Sequence, residues 1–108
     1  MLPKKNRADR KAIEKIFKKG SFFNSPNFTF KYIHNINITN PRISFIVPKS
    51  VSKLAVKRNS LRRCGYDILS KNKDFLPKNI EGVFVFKKYR EDVFLLEKEI
   101  LGLLKNIK

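Results

Sequence analysis

Acidic residues are scarce in this sequence: nine Asp and Glu stand against 25 Lys and Arg in 108 residues, a formal net charge of +16. A chain this basic repels itself and seeks polyanions. Cysteine is nearly absent, and the single Cys64 excludes an internal disulfide and a cysteine-based zinc site. Histidine is equally rare. His34 stands alone, so a Ser-His-Asp triad would need Ser and Asp partners that sequence order does not place. Asp9, Glu14 and Asp67 form no recognisable metal-binding pattern, and no paired carboxylates point to protein-based hydrolysis. No apolar run approaches the roughly 18 residues that a membrane-spanning helix needs. The first residues, MLPKKNRADRKAIEKIF, are basic but lack the apolar core of a signal peptide. The expected location is cytoplasmic, with no membrane partner.

Apolar residues nevertheless make up 42% of the chain, and ten of them are Phe. That content builds a core, unlike a disordered basic tail. The length suits one compact domain over residues 1–108, with residues 1–8 as a basic arm. The charge is uneven. Residues 1–66 hold 16 Lys and Arg against two acids, whereas residues 67–108 hold nine against seven. A solvated surface usually mixes both signs, as the C-terminal third does. The excess elsewhere is the footprint expected for a phosphate-rich partner. A generically sticky surface is the bland alternative. An acidic membrane surface is disfavoured, because no helix joins a strong apolar face to the basic clusters.

Along the chain, Asp9 suits a helix N-cap and Gly20 a helix stop, with Ala12, Ile13, Ile16 and Phe17 as one apolar edge. Phe22 and Phe23 leave room for a short strand. Residues 28–33 (FTFKYI) alternate with period two, which predicts a strand with Phe28, Phe30 and Tyr32 on one face and Thr29, Lys31 and Ile33 on the other. Residues 42–47 predict another strand, 54–71 a helix, 77–82 a loop, 83–86 a buried strand and 91–107 a helix. Val93, Leu96, Ile100, Leu103, Leu104 and Ile107 would form the last helix's buried stripe. The fold class is α+β: a single small domain ordered helix–strands–helix–strand–helix, with a mixed sheet of about four strands packed with helices.

The informative segment is AVKRNSLRR, residues 55–63. It places Arg58, Asn59, Arg62 and Arg63 at the start of a helix, with Lys53 and Lys57 beside them. At about 100° per residue, Leu54, Leu61, Cys64, Gly65, Ile68 and Leu69 share one arc, and Asn59, Arg62 and Arg63 point away from it. Arg58 falls near its edge. Arginine forks bind phosphate in a bidentate way, and a helix N-terminus adds exposed N–H groups. A solvated charged face is the alternative reading.

This segment resembles the signature of the bacterial ribonuclease P protein family: Ala-Val, one residue, Arg-Asn, two residues, then Lys or Arg and Arg. The resemblance runs through the chain in order. Asn6 and Arg7 precede a helix ending in Phe17, Lys18 and Gly20. An aromatic strand (FTFKYI), a strand with a basic turn (RISFIVPKS), the signature helix, an apolar strand ending in a basic pair (VFVFKK) and an amphipathic helix follow. Departures exist. The turn before the signature helix reads PKSVSKL where the family often has Ser-Lys-Lys and Gly-Asn, and Ile13 stands where an aromatic is common.

The resemblance implies a protein subunit with no catalytic side chain and no metal site of its own. The catalytic RNA would hold Mg2+ and cut precursor tRNA at its 5′ end. Contacts to that RNA would come from Lys49, Lys53, Lys57, Arg58, Asn59, Arg62 and Arg63, with Arg7. A cleft between the first helix and the sheet would bind the single-stranded 5′ leader of precursor tRNA, lined by Ile13, Phe17, Thr29, Lys31, Phe86 and Lys87. An apolar groove rimmed by Lys suits a single strand, although Ile13 and Phe17 fit ordinary core packing equally well. A structural RNA-binding protein of ribosomal type is the alternative function, and it requires no such groove.

Overall fold

The computed structural model describes residues 10–38, 40–90 and 92–107. The basic arm, with Arg7 and the expected cap Asp9, lies outside the described residues. The elements are α1 (Arg10–Lys19), β1 (Ser21–Asn24), β2 (Phe28–His34), β3 (Arg42–Ile46), α2 (Ala55–Lys71), β4 (Ile80–Phe86) and α3 (Val93–Lys105), with a 3-10 turn at Lys73–Phe75. The sheet has four strands in the order β1-β2-β4-β3. β2 pairs antiparallel with β1 and β4, and β3 runs parallel to β4, so α2 is the crossover between them. The α+β class and the mixed sheet agree with the sequence reading.

The pleat divides the apolar residues between two faces. Phe28, Phe30, Tyr32, Ile43, Phe45, Phe84 and Phe86 turn to one side and form the main core with Leu61, Ile68 and Leu69 of α2 and Leu96, Ile100, Leu103 and Leu104 of α3. Aromatic packing is dense there: the Phe30 and Phe84 rings stack at 4.3 Å, and Phe45 stacks on Phe84 at 5.1 Å. Each fully buried Phe is worth about 1.5–3 kcal/mol of burial. The other face carries a smaller cluster, in which Ala12 and Ile16 of α1 meet Val83, with Ile13, Ile33, Ile46 and Val85 packed around them. The layers are therefore α1, the sheet, and then α2 with α3.

α1 ends where Gly20 donates its backbone N–H to the Ile16 carbonyl at 2.8 Å. A side chain at Gly20 would collide with backbone, its Cβ falling 2.4 Å from the Ile16 oxygen. Asp92 caps α3, its carboxylate accepting from the Leu95 N–H at 3.2 Å.

Several boundaries differ from expectation. β4 begins at Ile80, so the second half of the expected 77–82 loop is strand. Glu81 and Gly82 disguise it. Glu81 is buried as the partner of Asn35, which donates to its carboxylate at 2.6 Å. The Phe30 ring lies over Gly82 in place of a side chain. α3 starts at Val93, which is exposed rather than part of the buried stripe, because it sits in the first turn before the helix settles onto the core. Leu54 is also exposed, because it precedes α2 as its N-cap residue. Tyr66 joins the core instead, and its Oη accepts from the Phe45 N–H of β3 at 3.3 Å.

Candidate RNA interface

α2 begins without a side-chain cap: Leu54 stands at the N-cap position and offers no acceptor. Its first-turn N–H groups have no intrahelical acceptor, which makes the helix start attractive to anions. Ala55, Val56, Lys57, Asn59, Ser60 and Arg63 are all exposed there. Val56 is 80% exposed, so this turn is not built as core. Arg62 is half-buried and donates from Nη2 to the Asn59 side-chain oxygen. That pairing fixes a guanidinium and an amide side by side. The Lys57 ammonium lies 5.3 Å from the centre of the Tyr89 ring, so the residues after β4 brace the start of α2. Tyr89 carried no sequence signal for this role.

Arg58 has a different environment. Its Nη1 donates to the carbonyls of Ser52 and Lys53, both at 2.9 Å. One edge of the guanidinium thus ties down the turn that leads into α2, and the remaining donors are left for a phosphate. Lys49 and Lys53 project from that same turn and are exposed. The structure therefore brings Lys49, Lys53, Lys57, Arg58, Asn59, Arg62 and Arg63 to one end of the molecule, around the amino end of α2.

The second feature is the surface beside α1. Ile13 is half-buried and, like Val85, Ile33 and Ile46, packs against the Ala12, Ile16 and Val83 cluster. Phe17 is 44% exposed, too open for a core residue, and the Lys31 ammonium lies 4.8 Å from the centre of its ring. Thr29 lies on the same sheet face and donates to the Asn24 side-chain oxygen at 2.9 Å. Lys11, Lys15, Lys18 and Lys19 cover the outer side of α1 with positive charge. Ile13, Phe17, Thr29 and Lys31 thus all lie on α1 or on the sheet face that it packs against.

Phe86 is not among them. It is 1% exposed and faces the main core, where its ring meets that of Phe28 at 4.6 Å. The reason is register: Phe28 pairs with Phe86 and Thr29 with Val85, so Val85 is the β4 residue on the α1 face. The β2–β4 register that decides it is a tertiary fact, and the unbroken apolar run VFVF gives no phase of its own. Lys87 follows Val85 by two residues, and its ammonium donates to the Ser25 carbonyl at 3.0 Å. It anchors the β1–β2 turn at the edge of the groove.

Other titratable groups offer little chemistry. Cys64 is half-buried, and its thiol is pushed above the ordinary value by burial first and by Asp67 second, with Lys71 opposing them. A raised thiol is a poor nucleophile. His34 is exposed at the end of β2. Among the described residues, no group of three or more His, Cys, Asp or Glu could hold a metal ion, and no helix is long and apolar enough to cross a membrane.

The fold and sequence have clear relatives. The family model described as Ribonuclease P matches residues 2–108. The chain is 39% identical over 64 residues to the ribonuclease P protein component of Pseudanabaena sp., an alignment that spans 58% of this chain and about half (55%) of that relative. The RNase P protein from Thermotoga maritima superposes with a TM-score of 0.85 at 27% identity, covering 94% of this chain and 97% of that one. The Staphylococcus aureus RNase P protein shares the fold, with a TM-score of 0.80 at 18% identity over 91% of this chain and 90% of that one. The match of the family model across nearly all of its length places the chain in the ribonuclease P protein family.

Proposed function

We propose that this chain is the protein component of ribonuclease P and supports 5′-end maturation of tRNA. It binds the catalytic RNA through the amino end of α2 and the single-stranded leader of precursor tRNA in the groove between α1 and the sheet. The observation that carries the reading is the Lys31 ammonium held over the half-open Phe17 ring. An exposed aromatic beside a cation is the pairing a single strand uses, base against ring and phosphate against ammonium. A structural RNA-binding protein of ribosomal type has no need of it.

Catalysis belongs to the RNA in this proposal. Among the described residues, no three or more His, Cys, Asp or Glu are grouped to hold a metal ion by themselves, whereas Mg2+ readily takes water and phosphate oxygens. The proposal places Mg2+ in the RNA-containing holoenzyme. What the protein supplies is positive charge and a leader-binding surface. Both raise the affinity for a precursor over a mature tRNA, which has no leader.

The test is reconstitution with a bacterial ribonuclease P RNA and assay of precursor-tRNA cleavage at low magnesium. The protein is expected to restore cleavage there, and the protein alone to cut nothing. Phe17→Ala and Lys31→Ala should weaken precursors with leaders and spare leaderless RNA. Equal weakening of both would remove the groove assignment. No restoration of cleavage would remove the functional reading.

A further inference from the structure

We propose that Phe22, on the edge strand β1, is a second base platform of the leader groove and lengthens the tract of leader that the protein reads. This rests on the assignment of the groove to the leader. The observation is one of register. Phe22 lies directly opposite Lys31 across the antiparallel β1–β2 pair, so their side chains leave the same face of the sheet with Cβ atoms about 5 Å apart. Lys31 in turn lies over Phe17. Lys31 is thus the shared neighbour of two exposed aromatics, Phe22 across the strand pair and Phe17 on α1.

The two phenylalanines of β1 have separate fates. Phe23 turns to the main core and stacks on Tyr32 with centroids 5.7 Å apart. Phe22 is 59% exposed, more open than Phe17. An exposed aromatic on an edge strand invites unwanted pairing, and this strand is only four residues long and ends at a tight turn. Packing gives no reason for a large ring there, since its facing neighbour is a lysine rather than an apolar side chain. A single-stranded partner gives one. A base stacked on Phe22 and a base stacked on Phe17 would flank the Lys31 ammonium, which then meets the phosphate chain between them.

The experiment uses the holoenzyme reconstituted with catalytic RNA, and measures binding of precursor tRNAs carrying leaders of graded length together with a leaderless tRNA. Phe22→Ala is expected to weaken long-leader precursors about five- to tenfold and leave the leaderless RNA unchanged. The loss should persist as salt rises, because stacking is not screened, whereas that of Lys31→Ala should shrink. Phe22→Trp should keep wild-type affinity, and Phe22→Leu should behave as Phe22→Ala. Thermal unfolding of each variant checks that the sheet is intact; Phe22 is exposed, so little stability depends on it. If Phe22→Ala matches wild type on every leader while Phe17→Ala and Lys31→Ala show leader-dependent losses, the Phe22 platform is overturned and the groove stands. If all three are indifferent to the leader, the groove assignment fails and this proposal fails with it.

Discussion

Gly65 of α2 rests directly on the ring of Phe45. A Cβ built at Gly65 would fall 2.7 Å from two ring carbons. The ring has nowhere to go, since it stacks on Phe84 at 5.1 Å and meets Tyr66 edge-on at 5.2 Å. The absent side chain thus sets how closely the basic helix approaches the sheet. Gly65→Ala would gain up to about 1 kcal/mol of helix propensity. Overpacking costs about 1–3 kcal/mol, and here it falls on rings that cannot yield. The expected outcome is net destabilisation, read as a lower midpoint in thermal or urea unfolding.

The arginines of α2 should divide into two kinds. Arg62→Ala and Arg63→Ala should each lower the slope of log affinity for the catalytic RNA against log salt by up to about one unit. Arg58→Ala removes a phosphate donor and also frees the carbonyls of Ser52 and Lys53. Hydrogen exchange should therefore quicken at the backbone amides around residues 52–55 in Arg58→Ala alone. Arg58→Lys should keep the charge and still lose part of this protection, because an ammonium lacks the planar fork.

Glu99 holds the turn between β1 and β2. Its carboxylate accepts from the Asn27 backbone N–H at 2.7 Å, from the Asn27 side chain at 2.8 Å, and from the Ser25 hydroxyl. Asn27 is only 3% exposed, so Glu99→Ala would strand buried donors. An unsatisfied buried group costs about 1–3 kcal/mol. Glu99→Ala should therefore destabilise the protein by at least that amount in urea titration, and Glu99→Gln by less.

Cys64 should react slowly with thiol reagents near neutral pH. Its raised pKa leaves less thiolate at a given pH, and the thiolate is the nucleophile. The rate should climb only above the pH at which an ordinary thiol ionises. Asp67→Asn removes a charge that opposes ionisation, so it should shift the profile down. Lys71→Ala should shift it up. Alkylation rate against pH, followed on the folded protein, reads both signs.

Strong alternation made β2 legible: aromatic residues at every second position can face a core in only one way. The signature helix was legible through its charge, and α1 through its apolar edge. β4 was less so. Glu81 and Gly82 look like loop residues, yet the strand tolerates them because Asn35 satisfies the carboxylate and Phe30 covers the glycine. The same strand misdirected Phe86, since a run apolar on both faces carries no phase. In the site, the choice of Ile13, Phe17, Thr29 and Lys31 came from the family resemblance, with the alternation of β2 supplying the face on which Thr29 and Lys31 stand. Tyr89 under Lys57 and the folding back of Arg58 depend on tertiary contacts between segments far apart or on loop geometry, which no local pattern encodes.

The alternation of β2 has a further consequence. Odd positions from Thr29 to Ile33 look toward α1, and even positions from Phe28 to Tyr32 look toward the core. Substitutions can therefore drift in one set while the other stays fixed, so recognition can be retuned at little expense to folding. An inserted or deleted residue within the strand enjoys no such independence. It would exchange the two sets at a stroke, driving a lysine into the aromatic core and phenylalanines onto the α1 face. Length variation among working versions of this protein should accordingly collect in the connections around residues 35–41 and 72–79, and spare the seven residues from Phe28 to His34.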